Sequence, residues 1–421
     1  MENGNSSLKK SLSKIFQDSP STQRDVQVPI RYISGPISWT GFEFGNKAIH
    51  LFGDEHFSRE GNCESSNLKC STYKQFIPDS DCVTIDGLIK NIFVTSEEND
   101  FRADVFLEAY YSSKNDKNKR SRLVQNTGYL DDIDNFYSAL METGETRNHS
   151  KLHYLDVRFM VDENQNHIIV DLFTILYAII RNNLKTTPEI DMFIFVRDML
   201  EMINDGKFDY YKSKNIVQFL KNLIKELEPK VSTDKYDLYG KFVNELKMNL
   251  ENAKYKIKDN NPVSNYYGLV ESLNKKNVTF RGKNISTYIQ DFIEKDKNFT
   301  QQLDKRFDRY LNYDRDYLTK KDKESLSNYV TRSMNEILHI GSLFMDGVML
   351  SKMFKRLQEK DSQIIIVYAG DAHIDNYIRF LTTEMNLAPM GSMKTTKLRR
   401  CLDNPEFSKI FGKWIDVSLL E

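Results

Sequence analysis

The chain carries the tetrapeptide Gly-Asp-x-His twice, each time directly after a strongly apolar run. The first is Gly53-Asp54-Glu55-His56, following Ala48-Ile49-His50-Leu51-Phe52. The second is Gly370-Asp371-Ala372-His373, following Ile364-Ile365-Ile366-Val367-Tyr368-Ala369. Each reads as a buried strand, a glycine turn, then a carboxylate and an imidazole. Glycine and aspartate are ordinary turn residues after strands, so either copy alone means little. In an open α/β sheet, however, ligands bind just beyond the carboxyl ends of the strands. Two strands with the same polar ending place two histidines and several carboxylates over one pocket.

The bulk numbers bound the rest. The 421 residues suffice for one large domain or a domain with a sizeable insertion, and 40% hydrophobic content supplies a real core. A formal net charge of -1 removes any bulk electrostatic argument for nucleic acid or an anionic membrane. Residues 1–28 are rich in Ser, Lys, Asp and Asn and read as a disordered tail without the apolar core of a signal peptide. No run approaches the ~18 apolar residues of a membrane helix. The expected location is cytoplasmic or intravirion, with no membrane span. The four cysteines lack the two-to-four-residue spacing of a zinc knuckle. Free or buried thiols are expected, with a Cys63–Cys70 loop disulfide only in an oxidising compartment.

Hydrophobic periodicity divides the chain further. Strands are expected at Arg31–Ile37, Lys47–Phe52, Ala103–Ala109, Leu152–Val157 and Gln363–Ala369, with a last edge strand at Lys397–Leu402. Helices are expected at Val83–Phe93, Leu130–Met141, Lys323–Leu357 and Ile374–Met385. Ser58–Ser80 and Lys114–Arg122 read as loops. From Arg181 to Leu318 the period is helical and the surface is rich in Lys, Glu and Asp. The resulting expectation is an α/β fold with a mixed, mainly parallel central sheet flanked by helices. Its core is built from 29–180 and 321–421 and interrupted by an all-helical insertion over 181–320.

His56 and His373 are the leading chemical candidates, since imidazole serves as base, acid or metal ligand near neutral pH. Glu108 falls where an apolar strand should end, where a carboxylate must be exposed, paired or ligating. Asp54 and His56 share a face by strand alternation. Asp156 and Arg158 share a face of the third strand, and a salt bridge is the plain reading of that pair. Arg332, Asn335 and Glu336 form a polar stripe at i, i+3 and i+4. Walker loops, Gly-x-Gly-x-x-Gly, His-Glu-x-x-His and nucleophile elbows are absent, which argues against P-loop kinases, Rossmann dehydrogenases, zincins and α/β-hydrolases.

The order of these residues resembles the superfamily joining erythromycin-esterase-like proteins, ChaN haem-binding proteins and the TraB/Tiki family. Gly53–His56 looks like that superfamily's first motif, Glu108 its second-strand acid, Arg332 with Asn335 its helix element, and Gly370–His373 its last motif. Asp54 departs from the glutamate of the esterase-like members. The stretch from Arg31 to His56 also resembles uncharacterised proteins of large DNA viruses. The resemblance implies a hydrolase, an esterase or metallopeptidase, acting on a small-molecule or peptide substrate. His56 would be general base, His373 proton donor, Asp54 and Glu108 orienting groups, and Arg332 the oxyanion stabiliser. His56, His373, Glu108 and Asp54 also make a ligand set for a divalent ion, manganese or zinc. The other class of reading is a non-catalytic structural or interaction protein, a virion component or host-interaction factor, with the helical insertion facing a protein partner.

Overall fold

A computed structural model describes residues 30–55, 63, 68–71, 80–99, 101–109, 128–142, 149–156, 158–161, 167–169, 171–204, 216–260, 262–297, 305–360, 362–395, 400–412 and 414–415. The expected tail, the Lys114–Arg122 loop, His56 and most of Ser58–Ser80 lie outside the described residues. Contacts divide the chain into two compact units. The first is Met1–Ala109, Ser113–Leu155 and Lys352–Glu421, and the second is Tyr110–Ser112 and Asp156–Ser351.

Up to residue 155 the elements are β1 (Tyr32–Ser34), β2 (Ser38–Phe44), β3 (Lys47–Asp54), β4 (Cys82–Thr84), α1 (Ile85–Glu98), β5 (Arg102–Leu107), α2 (Gly128–Glu142) and β6 (Ser150–Tyr154). From Asp156 come β7 (Phe159–Val161), β8 (His167–Ile169), α3 (Leu172–Asn183), α4 (Glu189–Asn204), α5 (Ile216–Leu227), α6 (Leu238–Asn260) and α7 (Pro262–Lys275). The short strands β9 (Thr279–Phe280) and β10 (Lys283–Asn284) precede α8 (Ile285–Lys297) and the long α9 (Lys320–Leu357). The chain closes with β11 (Ser362–Gly370), α10 (Asp371–Arg379), β12 (Pro389–Lys394), β13 (Cys401–Asp403) and α11 (Phe407–Phe411).

The first unit is a mixed α/β structure around a six-stranded sheet in the order β12-β2-β3-β11-β5-β6. The strands β3, β11, β5 and β6 run parallel, and β2 and β12 add an antiparallel edge. The two apolar runs of the repeated motif are thus neighbours, paired from Ala48 against Ile364 to Asp54 against Gly370. Every residue of β11 from Ile364 to Gly370 is buried, because helices and loops cover both faces of a central parallel strand. Ile364, Ile366 and Tyr368 pack with Phe52, Val105 and Leu107 on one face. Helix α1 starts where Thr84 accepts from Gly87 N at 3.2 Å. It is buried from Ile85 to Glu97, so Lys90 is accommodated only beside Asp86, 2.7 Å away one turn earlier.

Four local expectations change. The stretch from Arg31 to Phe52 holds three strands, not two, because β2 and β3 form a hairpin turning at Gly45, φ +65°. Gly41 hides β2 from a β-propensity reading, yet its missing Cβ leaves room for the Trp39 ring, which would stand 2.8 Å from it. At the other end β12, Pro-Met-Gly-Ser-Met-Lys, completes the sheet edge although Pro and Gly disfavour strands. The expected edge strand at Lys397–Leu402 is instead β13, in a separate sheet ordered β13-β1-β4. That small sheet also corrects the cysteines, none of which is free. Cys63 pairs with Cys401 and Cys70 with Cys82, not Cys63 with Cys70. Strand β1 lies between β4 and β13, opposing Tyr32 to Cys82 and Ser34 to Cys401. A return of the chain from residue 401 has no trace in local spacing.

The second unit is helical apart from the two small ladders β7-β8 and β9-β10. Among the described residues no strand of this unit joins the six-stranded sheet. The unit begins at Asp156, so it takes in β7, β8 and α3, which precede Arg181. Asp156 and Arg158 form the expected bridge, Nε to Oδ1 and Nη2 to Oδ2 at 2.9 Å each. Helix α9 is by length and composition apolar enough to cross a membrane, a property its interrupting Glu336, His339 and Asp346 conceal in a scan for unbroken runs. Of its most apolar window 78% is buried inside the structure, as in the core helix of a folded domain.

Asp171 caps α3, its Oδ2 accepting from Thr174 N at 2.7 Å and Thr174 Oγ1 at 2.8 Å. It is 1% exposed, and burial pushes its carboxyl from 3.8 up to about 6, against the Thr174 hydrogen bonds that pull it down. A carboxyl raised on folding gives stability that is full below pH 4 and lost as pH rises through about 6. The displacement corresponds to roughly 3 kcal/mol at most. Asp171→Asn keeps the capping oxygen without the charge, but leaves an amide N–H₂ group to satisfy. Thermal melts should show the variant more stable than wild type by about 1–2 kcal/mol at pH 8, with the gain gone below pH 4.

Candidate functional site

Strand alternation and the register of β3, β11 and β5 decide which side chains meet at the carboxyl edge of the sheet. Phe52, Tyr368 and Leu107 share one face, and Asp54 follows Phe52 by two residues onto that face. Glu108 follows Leu107 by one, and so turns to the opposite face with Asp104 and Phe106. Two polar clusters result, one on each face.

On the first face, Tyr368 donates its hydroxyl to Asp54 Oδ2 at 2.6 Å, and Arg400 closes on Asp54 Oδ1. Arg400 also donates from Nε to Gly35 O at 2.8 Å. Asp54 and Arg400 are 4% and 5% exposed. A guanidinium and a phenol thus hold a buried carboxylate, which is the way a buried charge is tolerated. Burial and the Asp54 charge raise the Tyr368 hydroxyl well above its ordinary range, so it stays a donor.

On the second face, β11 passes straight into α10 with Gly370 as its N-cap. His373 lies in the first turn of α10 and is 7% exposed. Its Nε2 stands 3.4 Å from Glu108 Oε1, while Glu108 Oε2 accepts from Gly370 N at 2.6 Å. Glu108 N in turn donates to Tyr368 O at 3.1 Å, continuing the ladder one residue past β5. The glutamate is therefore fixed by its own backbone and by the turn that carries the histidine. Asp371 accepts from Ser38 Oγ and pairs with Lys394 Nζ at 2.7 Å. Lys394 also reaches Asp375 at 2.9 Å.

Of the residues singled out in the sequence, the structure brings Glu108 and His373 together and gives Asp54 to Tyr368 and Arg400. His56 lies outside the described residues. Arg332 belongs to the second unit, half exposed, 4.0 Å from Glu336 and 5.7 Å from the Tyr329 ring centre. Tyr368, Arg400, Ser38 and Lys394 are additional members. A tyrosine two residues before the end of a buried strand was the available signal, since its hydroxyl requires a partner. Arg400 gave none, because its place depends on β13 returning beside β1. A solvent-open hollow of about 470 Å³ near Glu228, Asp237 and Lys247 lies in the second unit and contains none of these side chains.

No family model, curated protein or solved structure matches the chain.

Two substitutions probe this geometry. A Cβ on Gly53 would collide with Ser38 Oγ and Asp371 Oδ1 and stand 3.1 Å from Asp371 Cα. Gly53→Ala should therefore destabilise by about 1–3 kcal/mol in a denaturant melt. Arg400→Met leaves Asp54 buried and charged without its cation, and should cost about 3–5 kcal/mol. Adding Asp54→Asn to Arg400→Met should recover much of that loss. A double-mutant cycle that is simply additive would contradict the pairing.

Proposed function

We propose that the chain is a hydrolase of the erythromycin-esterase/Tiki type, with His373 and Glu108 as its acid-base pair. The observation supporting this reading is their contact beyond adjacent parallel strands, where α/β sheets place ligands. Glu108 orients the imidazole through Nε2. His373 takes a proton from water at Nδ1 as the water oxygen attacks the substrate carbonyl, then returns it to the leaving group. The resemblance assigns His56 the general-base role and Arg332 the oxyanion. Glu108 and His373 are given the chemistry here because they meet among the described residues.

A divalent ion, manganese or zinc, would find two donors among those residues, His373 Nε2 and Glu108 Oε1. Asp54 does not fit as a third while a guanidinium neutralises it. The chemistry above is therefore assigned to the protein groups alone. We further infer that the helical block over 181–320 is an insertion in this fold, available to a protein partner.

One observation favours the second reading, a non-catalytic structural or interaction protein. Asp54 and Asp371, the carboxylates of both repeated motifs, are held by Arg400, Tyr368, Ser38 and Lys394. The two readings separate in one experiment. Wild type, His373→Gln and Glu108→Gln are assayed on a panel of esters and amides, with and without manganese or zinc, beside thermal melts. The hydrolase reading expects turnover in wild type, a fall of about 10²–10⁴-fold in His373→Gln, and a smaller fall in Glu108→Gln. Both variants should melt near wild type. Wild type inert across the panel, or variants that turn over as well as it does, would favour the interaction protein.

A further inference from the structure

All four cysteines of the chain gather in one place, although they are spread from residue 63 to residue 401. Cys63, Cys70, Cys82 and Cys401 are between 0% and 3% exposed. Cys82 and Cys401 come from strands on either side of β1, and Cys63 and Cys70 pack onto them from the segment between β3 and β4. The two disulfides are adjacent: the sulfurs of Cys63, Cys70 and Cys82 all lie within 4.8 Å of one another. Side chains of Tyr32 and Leu68 pack against the cluster.

Two independent disulfides do not need to touch. Four sulfurs in one buried site are, however, the donor set of a structural zinc ion. With Zn–S bonds of about 2.3 Å, tetrahedral geometry puts the sulfurs about 3.8 Å apart. Among three of them the non-bonded separations, no greater than 4.8 Å, need to close by at most about 1 Å, while each bonded pair, about 2 Å apart, opens by roughly 1.8 Å once reduced. Zinc spacing in sequence is usually local, but the ligands here are brought together by the β13-β1-β4 sheet, so local spacing is not a requirement.

We propose that the reduced chain binds one zinc ion through Cys63, Cys70, Cys82 and Cys401, and that the two disulfides are the oxidised form of the same site. Two equivalents of a phosphine supply four electrons and become phosphine oxide, two waters giving the oxygens and the four protons, so that both S–S bonds break and four thiols remain. Zinc then binds four thiolates and releases the four protons. Two equivalents of a small-molecule disulfide reverse this: they accept the four electrons and four protons to become four thiols, while two protein S–S bonds form and the metal is expelled. The site is separate from Glu108 and His373 and does not depend on their role.

The experiment uses the full chain, reduced with a phosphine under nitrogen, freed of metal with a chelator, then titrated with zinc or cobalt. The expected result is one zinc per chain, four reactive thiols that zinc protects from alkylation, and a cobalt spectrum with thiolate charge-transfer bands. Cys82→Ser should weaken zinc binding at least tenfold, and His373→Ala should leave it unchanged. Should Cys82→Ser fail to fold, alkylation protection in wild type decides, read by mass spectrometry at each cysteine. Four thiols that react equally with and without zinc, a cobalt spectrum without thiolate bands, or a reduced chain that unfolds and is not restored by zinc would each overturn the proposal.

Discussion

The parallel pairing of β3 with β11 is the constraint on which the sheet tip depends. Seven residue pairs, Ala48 with Ile364 through Asp54 with Gly370, join segments more than three hundred residues apart. Loop closure over such a distance costs little more than over a short one, because the entropy grows only with the logarithm of length. The register is not negotiable, however. A slip of one residue would turn Phe52 and Asp54 to the other face and leave Tyr368 facing no acceptor. The buried apolar faces of Ile364–Ala369 thus fix, with one-residue precision, which polar groups end up together.

Beyond the strand ends, the chain is held by charge. Arg400 joins Asp54 of the six-stranded sheet to Gly35 O beside the small β13-β1-β4 sheet. Its neighbour Cys401 bonds Cys63, which lies a few residues beyond Asp54. One short strand therefore grips the segment after β3 twice, once through a buried ion pair and once through sulfur. Lys394 makes a looser version of the same tie, from β12 to Asp371 and Asp375 at the start of α10. Its side chain is half exposed, so water screens that contact far more than the one at Arg400.

The elements that periodicity can see were legible in the sequence. The runs Ala48–Phe52 and Ile364–Ala369, the helix after Val83 and the long helix ending near Leu357 fall where their apolar spacing puts them, and Glu108 stands one residue past its strand. Legibility failed where a residue's role depends on a distant segment. Gly41 and Pro389 mask strands that exist because neighbours complete their ladders. The cysteine pairs and Arg400 depend on the return of β13 beside β1. The face on which Asp54 and Glu108 lie depends on register, which the repeated Gly-Asp-x-His pattern does not encode. The two repeated motifs end adjacent strands, but equivalent positions in them have different partners. Asp54 meets Arg400 and Tyr368, whereas Asp371 meets Ser38 and Lys394.

Among the described residues, His153 with Asp104 and His373 with Glu108 are two histidine–carboxylate contacts on the same sheet, and they differ in setting. Asp104 sits mid-strand in β5 and is fully buried; His153 of β6 contacts it at 2.8 Å and Arg356 at 2.8 Å. Burial opposes the charged forms of both Asp104 and His153. The hydrogen bond from His153 and the Arg356 guanidinium nonetheless hold Asp104 below its ordinary range, while burial keeps His153 below its own. An arginine that already neutralises the carboxylate leaves the imidazole little reason to take up a proton. This is a cross-strand brace. Glu108 and His373 again join a carboxylate to an imidazole, at the tip of the same strand four residues on. There the acid accepts from a backbone N–H at the start of the helix whose first turn carries the histidine. Chemical identity therefore does not separate the two pairs. Position along the strand does, and the proposal that Glu108 and His373 carry the chemistry rests on that position.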